Sequence, residues 1–433
     1  MQSSTGTVRI PTIEASPQSA LVDEPTRIQL RGFAPRQTVI LRAKTVDHAG
    51  KAWASYATFQ TDAQGSIDVS TQKPLSGTYQ NVDAMGLFWS MLPVNKKQKT
   101  PFVHTTQQPL MIEVVAEVEG IAVATTQVTR LFVAPGVTRQ AVRENGLFGT
   151  FFSPADLGPH PAVILLNGSD GGLRENPAAL LASHGYAVFA LAYFNYEDLP
   201  KSLTNIPLEY FENAISWLQA QETVNPDKIA VIGLSRGGEL ALLLGSIFPA
   251  IKAVVSGAPS SLIHVGINDK GRPSGPAWTY HGEALPHVNI QINFFVVMGL
   301  WWQAFKHHAF AMRTMFLTTL KDRQNLERAT IQVENIQGPV LLISGEDDQL
   351  WPSTVFAEQV MDRLTQRQHP YSYEHLRYKD AGHFVCFPYG LPSLPPYVQP
   401  APGIAFGGSI SANAHSVTAS WPKILVFLEQ VLT

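Results

Sequence analysis

Cysteine is almost absent from this chain of 433 residues, which contains one, Cys386. A single cysteine excludes a disulfide bond within the chain and is typical of a protein from a reducing compartment. The chain also lacks an excess of either charge, because 31 basic and 34 acidic residues leave a formal net charge of −3. Without a broad basic surface, neither nucleic acid nor an anionic membrane surface is an expected partner.

Long apolar runs are absent as well. The apolar stretch at 294–305 is too short to span a bilayer, which needs about 20 residues. Residues 1–20 lack the apolar segment of a signal peptide, and the C-terminal residues are not a peroxisomal address. We therefore expect a cytoplasmic protein without stable membrane insertion. No metal or other cofactor is predicted, because His307 and His308 are adjacent, whereas ligands on one helix face are about three or four residues apart.

The chain does contain the sequence Gly-Leu-Ser-Arg-Gly at 233–237. The apolar run at 228–232 is typical of a buried parallel strand, and 239–244 predicts a helix. Ser235 is therefore predicted on the sharp strand-to-helix turn of a nucleophile elbow, where side chains at 233 and 237 would clash. Because so short a motif also occurs by chance, its place between strand and helix carries the prediction.

An acid and a histidine follow in the order that such an elbow requires. A second buried strand is predicted at 339–344, and the loop after it carries three consecutive acids. We select Asp348, the furthest along the loop, as the acid that orients the histidine, with Asp347 as the alternative. His383 is the candidate base because it follows the strand predicted at 371–378.

These side chains suit the tasks of nucleophilic catalysis. Imidazole titrates near neutral pH, so His383 can take the proton of the Ser235 hydroxyl. Asp348 would hold the ring in the right tautomer and stabilise the imidazolium that forms. Cys386 lies close to His383 in sequence, but we expect no catalytic role for its thiol because the serine elbow is already complete.

The negative charge that develops on a reacting carbonyl needs backbone N–H donors. One is predicted to be the N–H of Arg236, directly after the nucleophile. The other is expected in the glycine-rich loop at 167–172, behind the strand predicted at 161–166, and there we select the N–H of Ser169. Such a loop can instead bind phosphate, but neither phosphate-binding glycine motif is present.

Longer runs resemble the family of acyl-CoA thioesterases and bile acid-CoA:amino acid N-acyltransferases, over nearly the whole chain. They lie at 192–201, 208–212, 233–240, 345–351, 381–383, 406–408 and 412–415, with Trp421. The resemblance implies a triad of serine or cysteine, aspartate and histidine at Ser235, Asp348 and His383. It also implies that hydrolases carry serine and transferases carry cysteine, so serine here favours hydrolysis of acyl-CoA.

The same resemblance implies an immunoglobulin-like β-sandwich domain followed by an α/β-hydrolase domain with a mostly parallel, doubly wound sheet. Short β-rich runs separated by turn residues support the first domain. They lie at 27–30, 38–44, 54–59, 66–69, 110–117 and 121–128. We place the domains at 1–136 and 137–433, with a closing amphipathic helix at 421–431.

One segment, 260–337, departs from the family because it looks longer than in relatives. Its apolar side chains could form a lid over an acyl tunnel, a dimer contact or ordinary core packing, so the chain is expected to be a monomer or a homodimer. The candidates for the lid are Phe294, Phe295, Leu300, Trp301 and Trp302.

The sequence thus predicts an acyl-CoA thioesterase acting on medium- to long-chain substrates through an acyl-enzyme. Alternatives are an acyl-CoA:amino acid N-acyltransferase, a general carboxylesterase and a non-catalytic acyl-CoA-binding protein.

Overall fold

The computed structural model describes residues 10–290, 298–299, 302, 309–321, 323–387, 392–393, 401 and 403–432. The chain divides into one unit of Met1–Phe132 with Tyr389–Val398 and a second of Val133–Pro388 with Gln399–Thr433. The first unit ends slightly before the predicted boundary at 136. The last strand of that unit ends at Leu131, and the N–H of Ala134 already donates to Ser183 Oγ of the second unit, at 2.8 Å.

The first unit consists mostly of β strands, and its long strands alternate buried and exposed side chains because one face covers the core. One sheet has the order β1-β3-β6 and another the order β2-β10-β9-β4-β5-β7, with β8 paired to β5. All six predicted runs contain strand residues. The elements are β1 (Thr12–Ser16), β2 (Ser19–Leu21), β3 (Arg27–Arg31), β4 (Thr38–Val46), β5 (Ala52–Gln60), β6 (Ile67–Asp68), β7 (Ser76–Gly77), α1 (Gly86–Trp89), β8 (Leu92–Pro93), β9 (Leu110–Val118) and β10 (Ile121–Leu131).

The second unit contains an eight-stranded sheet of the order β11-β12-β14-β13-β16-β17-β22-β23. Its strands and the short strands beside it are β11 (Thr138–Val142), β12 (Phe148–Ser153), β13 (His160–Leu166), β14 (Ala187–Ala192), β15 (Ile206–Pro207), β16 (Val224–Leu234), β17 (Ile251–Gly257), β18 (Val265–Ile267), β19 (Pro273–Pro276), β20 (Trp278–Tyr280), β21 (Glu283–Ala284), β22 (Val340–Gly345) and β23 (Tyr373–Tyr378). The helices are α2 (Glu175–Ser183), α3 (Glu209–Gln219), α4 (Arg236–Ile247), α5 (Arg313–Thr319), α6 (Arg323–Ala329), α7 (Ser353–Gln366) and α8 (Ile410–Leu432).

The strand directions of this sheet decide where its loops meet. β12 pairs antiparallel with both β11 and β14, and all the following pairs are parallel. Every residue of β14 and β22 is buried, as expected for parallel strands covered by helices on both faces. The carboxyl ends of β13, β16, β22 and β23 therefore share one edge, where such sheets carry their sites. The predicted mostly parallel, doubly wound sheet is confirmed.

The described part of the 260–337 segment connects β17 to β22, the sixth and seventh strands of the sheet. Val288, Phe316 and Ala329 pack in a buried apolar cluster with residues of the acid loop and α7. Core packing therefore accounts for part of this segment. Of the lid candidates, Phe294, Phe295, Leu300 and Trp301 lie outside the described residues, and Trp302 is 68% exposed.

The closing helix is longer than predicted. α8 begins at Ile410 rather than at 421, and Pro422 lies inside it. Proline is usually tolerated in the first helical turn, whereas Pro422 lies well inside this helix. The missed turns carry small residues, of which Ala414, Ser416 and Ser420 are buried. No helix among the described residues has the length and apolarity needed to cross a membrane.

Candidate active site

Ser235 lies between β16 and α4 in a strained backbone conformation, with φ 61° and ψ −123°. Such a conformation costs a non-glycine residue about 1–3 kcal/mol and persists only where its surroundings impose it. Here the N–H of Ser235 donates to the carbonyl of Gly257 at 2.8 Å, and its own carbonyl accepts from the N–H of Glu239 at 3.0 Å. The sharp strand-to-helix turn predicted at Ser235 is therefore present.

The glycines around the elbow are required by close contacts. A Cβ atom at Gly233 would lie 2.0 Å from the carbonyl oxygen of Gly237, and one at Gly237 would lie 2.4 Å from that of Asn167. Both distances are far below van der Waals contact, so the predicted clash at these positions is confirmed. Gly238 has the same constraint, which the motif did not reveal: a Cβ there would lie 2.6 Å from the carbonyl oxygen of Gly257.

The acid and the histidine meet at the same edge of the sheet. His383 Nδ1 lies 2.8 Å from Asp348 Oδ2, and the side chains are 2% and 0% exposed. Since a carboxylate only accepts, Nδ1 carries the proton and Nε2 keeps its lone pair. Asp348 Oδ1 also accepts the N–H groups of Leu350 and Trp351 at 3.0 and 3.2 Å, and Oδ2 accepts the Ser353 hydroxyl at 2.7 Å. These donors fix the direction of the carboxylate.

The alternative acid, Asp347, makes its hydrogen bonds to residues other than His383. Its Oδ2 accepts the N–H of Gly408 at 2.8 Å, and its Oδ1 accepts Gln349 Nε2 at 2.5 Å. The structure therefore pairs His383 with Asp348 and uses Asp347 to hold a later part of the chain.

That later part, the segment 406–413, supports the histidine turn directly. The N–H of His383 donates to the carbonyl of Phe406 at 2.9 Å, and the N–H of Gly382 donates to Asn413 Oδ1 at 2.7 Å. A Cβ atom at Gly382 would lie 2.3 Å from the carbonyl oxygen of Gly407. The backbone position of the histidine is thus set by residues next to the N-terminus of α8.

The loop at 167–172 lies against the elbow. A Cβ atom at Gly168 would be 3.5 Å from the Cβ of Ser235. The buried Asn167 side chain holds the loop, because its Oδ1 accepts the N–H of Gly168 at 2.9 Å and Arg174 Nε at 2.6 Å. The N–H of Ser169 meets no acceptor among the described residues.

Trp351 connects the loop after β17 to the candidate base His383. The Trp351 indole donates to the carbonyl of Ala258 at 3.2 Å, one residue after the acceptor of the Ser235 N–H, and its ring centroid lies 6.0 Å from that of His383. In the described part of the chain, the Ser235 hydroxyl makes no hydrogen bond to His383. Catalytic hydrogen bonds are often longer without substrate and shorten in the complex.

Sequence reasoning missed a buried polar cluster beside the elbow. The carboxylate of Glu239, 0% exposed, accepts Arg236 Nη1 at 2.7 Å, His264 Nδ1 at 3.1 Å and Trp278 Nε1 at 3.1 Å. The signal was present, because Glu239 is a lone carboxylate in an apolar helix and Arg236 stands three residues before it. Burial, the largest influence, lowers the pKa of His264, which disfavours the charged form of its ring.

Cys386 and several histidines other than His383 have the following surroundings. Cys386 is fully buried, and burial raises the pKa of its thiol, which disfavours a reactive thiolate. His375 Nε2 forms a hydrogen bond with Ser344 Oγ at 2.8 Å. His415 is exposed, and His307 and His308 lie outside the described residues. No group of three or more potential metal ligands occurs in the part of the chain that the structure describes.

Comparison with protein families now connects this geometry to known proteins. The family described as Acyl-CoA thioester hydrolase/BAAT N-terminal region matches residues 23–144. The family described as BAAT / Acyl-CoA thioester hydrolase C terminal matches residues 206–433, more than half of the chain. The chain belongs to this acyl-CoA thioester hydrolase and BAAT family. The predicted family membership and the α/β-hydrolase fold are thereby confirmed.

Both thioesterases and N-acyltransferases of the family are similar to this chain. Acyl-coenzyme A thioesterase 1 of Homo sapiens is 31% identical, covering 95% of this chain and 94% of the relative. Bile acid-CoA:amino acid N-acyltransferase of Mus musculus is 33% identical, covering 97% of each chain. Acyl-coenzyme A amino acid N-acyltransferase 1 of Mus musculus is 34% identical, covering 96% of this chain and 97% of the relative. Because the chain is about equally identical to hydrolases and transferases, sequence identity does not decide between the two activities, and the residues of the site must.

Proposed function

We propose that this protein hydrolyses acyl-CoA thioesters to a free fatty acid and CoA through an acyl-enzyme. Ser235 is the nucleophile, His383 the general base and Asp348 the residue that orients it. The observation that carries the proposal is the buried 2.8 Å contact between His383 and Asp348 at the sheet edge that also bears the strained Ser235. Both similar hydrolases and similar transferases act on acyl-CoA according to their names, which supports this substrate class.

In the first half-reaction, His383 Nε2 takes the Ser235 proton while the serine oxygen attacks the thioester carbonyl carbon. The N–H groups of Arg236 and Ser169 stabilise the oxyanion of the tetrahedral intermediate, a contribution worth about 10²–10³-fold in rate for one donor. The carbon–sulfur bond then breaks, and the imidazolium returns the proton to the CoA sulfur. Asp348 stays ionised and stabilises that imidazolium.

In the second half-reaction, His383 removes a proton from water, and the resulting nucleophile attacks the Ser235 ester. The ester bond breaks, the serine oxygen regains its proton, and the fatty acid leaves. Hydrolysis is favoured over amide formation because the nucleophile is serine, the residue that the family resemblance associates with thioesterases. Amino acid N-acyl transfer is the second candidate, since named transferases are as similar to this chain as the hydrolases.

One assay separates these reactions. Purified protein is incubated with palmitoyl-CoA, and thiol release is followed with and without glycine, while mass spectrometry identifies the products. We expect palmitate as the main product, and Ser235→Ala should reduce kcat by at least about 10³-fold while substrate still binds. An acyl-glycine as main product would establish the transferase instead. Hydrolysis of p-nitrophenyl esters alone would indicate a general carboxylesterase, and binding without turnover a non-catalytic acyl-CoA-binding protein.

The preference for medium or long chains is part of the proposal and rests on the apolar run at 294–305. Each methylene buried in a tunnel contributes about 0.8 kcal/mol, so kcat/KM should rise several-fold per added carbon until the tunnel is full. Trp301→Ala combined with Trp302→Ala should lower kcat/KM at least about tenfold for a long chain and less than about twofold for a short one. Equal losses on both substrates would assign these side chains to folding or association. The cytoplasmic location and the state of monomer or homodimer stay predictions.

A further inference from the structure

The side chains of Arg236, Glu239, His264 and Trp278 form a buried cluster that adjoins Ser235, and none of these side chains takes part in the proposed chemistry. Arg236 follows Ser235, and its N–H is the proposed oxyanion donor. Its guanidinium is 5% exposed, donates to Glu239 at 2.7 Å and to the His264 carbonyl at 3.1 Å, and lies 5.9 Å from the Trp278 ring centroid. The side chain of Arg236 is therefore fixed by contacts with Glu239, His264 and Trp278.

Glu239 joins these contacts to one another. Its own N–H donates to the carbonyl of Ser235 at 3.0 Å, while its carboxylate accepts the side chains of Arg236, His264 and Trp278. Burying an ion pair costs desolvation energy, and apolar residues of similar size often stabilise a core at least as well. Stability alone does not explain this pair, whereas a role in placing the first turn of α4 does.

The cluster also reaches the acid loop. The ring of His264 lies 5.4 Å from that of Trp351, which donates to the Ala258 carbonyl and packs against His383. Both His264 and Trp278 come from the segment between β17 and β22. Glu239 thus connects the elbow to the segment 260–337, for which the sequence left a lid, a dimer contact or core packing open.

We propose that Glu239 is a positioning residue: through Arg236, His264 and Trp278 it holds the N–H of Arg236 where the oxyanion of the acyl-transfer transition state develops. This role rests on the proposed function only in that Ser235 must be an acylated nucleophile. A small displacement of such a donor is costly, since a misplacement of about 1 Å can lower a rate by about 10²-fold.

The test uses Glu239→Gln and the double variant Arg236→Met with Glu239→Gln. The single change leaves a buried guanidinium without its anion, so both the thermal midpoint and kcat should fall. The double change removes both charges at similar volume, so the midpoint should recover. We expect kcat to stay at least about tenfold below wild type in the double variant, with KM within about threefold, because methionine cannot be held by the His264 carbonyl.

Two further variants keep the test decisive if the double variant does not regain stability. Trp278→Phe removes one donor to Glu239 and keeps an aromatic ring at a fully buried position. The thermal midpoint should fall, and labelling of Ser235 by a fluorophosphonate, measured well below that midpoint, should slow at least about threefold. Glu334→Gln breaks the Arg363 ion pair, in which the side chains are 26% and 19% exposed, and serves as the matched control with wild-type kcat and labelling rate.

A double variant with wild-type kcat, or Trp278→Phe labelled at the wild-type rate, would overturn the positioning role. Fluorophosphonate labelling needs no acyl-CoA. A wild-type protein that is labelled at Ser235 but does not cleave palmitoyl-CoA therefore contradicts the proposed function and leaves the role of Glu239 open to the same measurement.

Discussion

Replacing Asp348 by asparagine changes the chemistry beside His383 while keeping the size of the side chain. The N–H groups of Leu350 and Trp351 both point at Asp348 Oδ1, so the amide oxygen must take that place. The amide NH₂ then takes the place of Oδ2 and faces His383 Nδ1, which lies 2.8 Å from it. Because that NH₂ can only donate, Nδ1 must give up its proton and Nε2 must carry one.

A histidine protonated at Nε2 cannot accept the serine proton. We therefore expect kcat to fall by about 10⁴-fold, the loss typical of a triad with the wrong tautomer. This corresponds to about 5 kcal/mol of transition-state stabilisation, at about 1.4 kcal/mol per factor of ten. Thiol release from palmitoyl-CoA measures the rate, and circular dichroism checks that the variant is folded.

Asp347→Asn provides the matched control one residue away. Asp347 bonds to Gly408 and Gln349 rather than to His383, and an asparagine oxygen can still accept the Gly408 N–H. Its kcat should stay within about threefold of wild type. If Asp348→Asn kept more than a tenth of the activity, or if Asp347→Asn were the more damaging change, the tautomer argument would be refuted.

Three further outcomes are expected. Gly237→Ala should lower the thermal midpoint by at least about 3 °C in calorimetry and reduce kcat, because its Cβ would lie 2.4 Å from a carbonyl oxygen; wild-type stability would contradict this. Ser235→Cys should raise the ratio of glycine conjugate to free acid, since a thioester acyl-enzyme passes its acyl group to amines more readily; an unchanged ratio by mass spectrometry counts against it. Iodoacetamide at neutral pH should modify Cys386 only after unfolding, because burial raises the pKa of its thiol, and alkylation of native protein would show otherwise.

Periodicity was sufficient to predict the parts of the site that are local in the chain. The strand, the helix and the glycines of the elbow lie within the range 224–247, so the turn itself could be predicted from neighbouring residues. Its contacts with Asn167 and Gly257 could not. The choice between Asp347 and Asp348 is not local. It depends on the N–H of Gly408 and on the ring of His383, which come from distant parts of the sequence and meet only in the folded sheet.

For the buried cluster, too, the sequence predicts only the contact between residues close in the chain. The spacing of Arg236 and Glu239 predicts an ion pair on one helix face. Their partners His264 and Trp278 come from the segment between β17 and β22, whose strands are too short for a periodic pattern to reveal its path. The early start of α8 was missed because small buried residues carry a weak helical signal beside the stronger one of Pro422.

The attachment of the histidine turn to the segment 406–413 makes the proposed activity depend on the order of synthesis. Ser235 leaves the ribosome long before Phe406 and Asn413, which hold His383 and Gly382 in place. At about 5–20 residues per second, the delay is roughly ten to thirty seconds. During that time the nascent chain contains the candidate nucleophile but not the residues that hold the candidate base. In the proposed mechanism, Ser235 therefore gains its base only after the segment 406–413 has been synthesised.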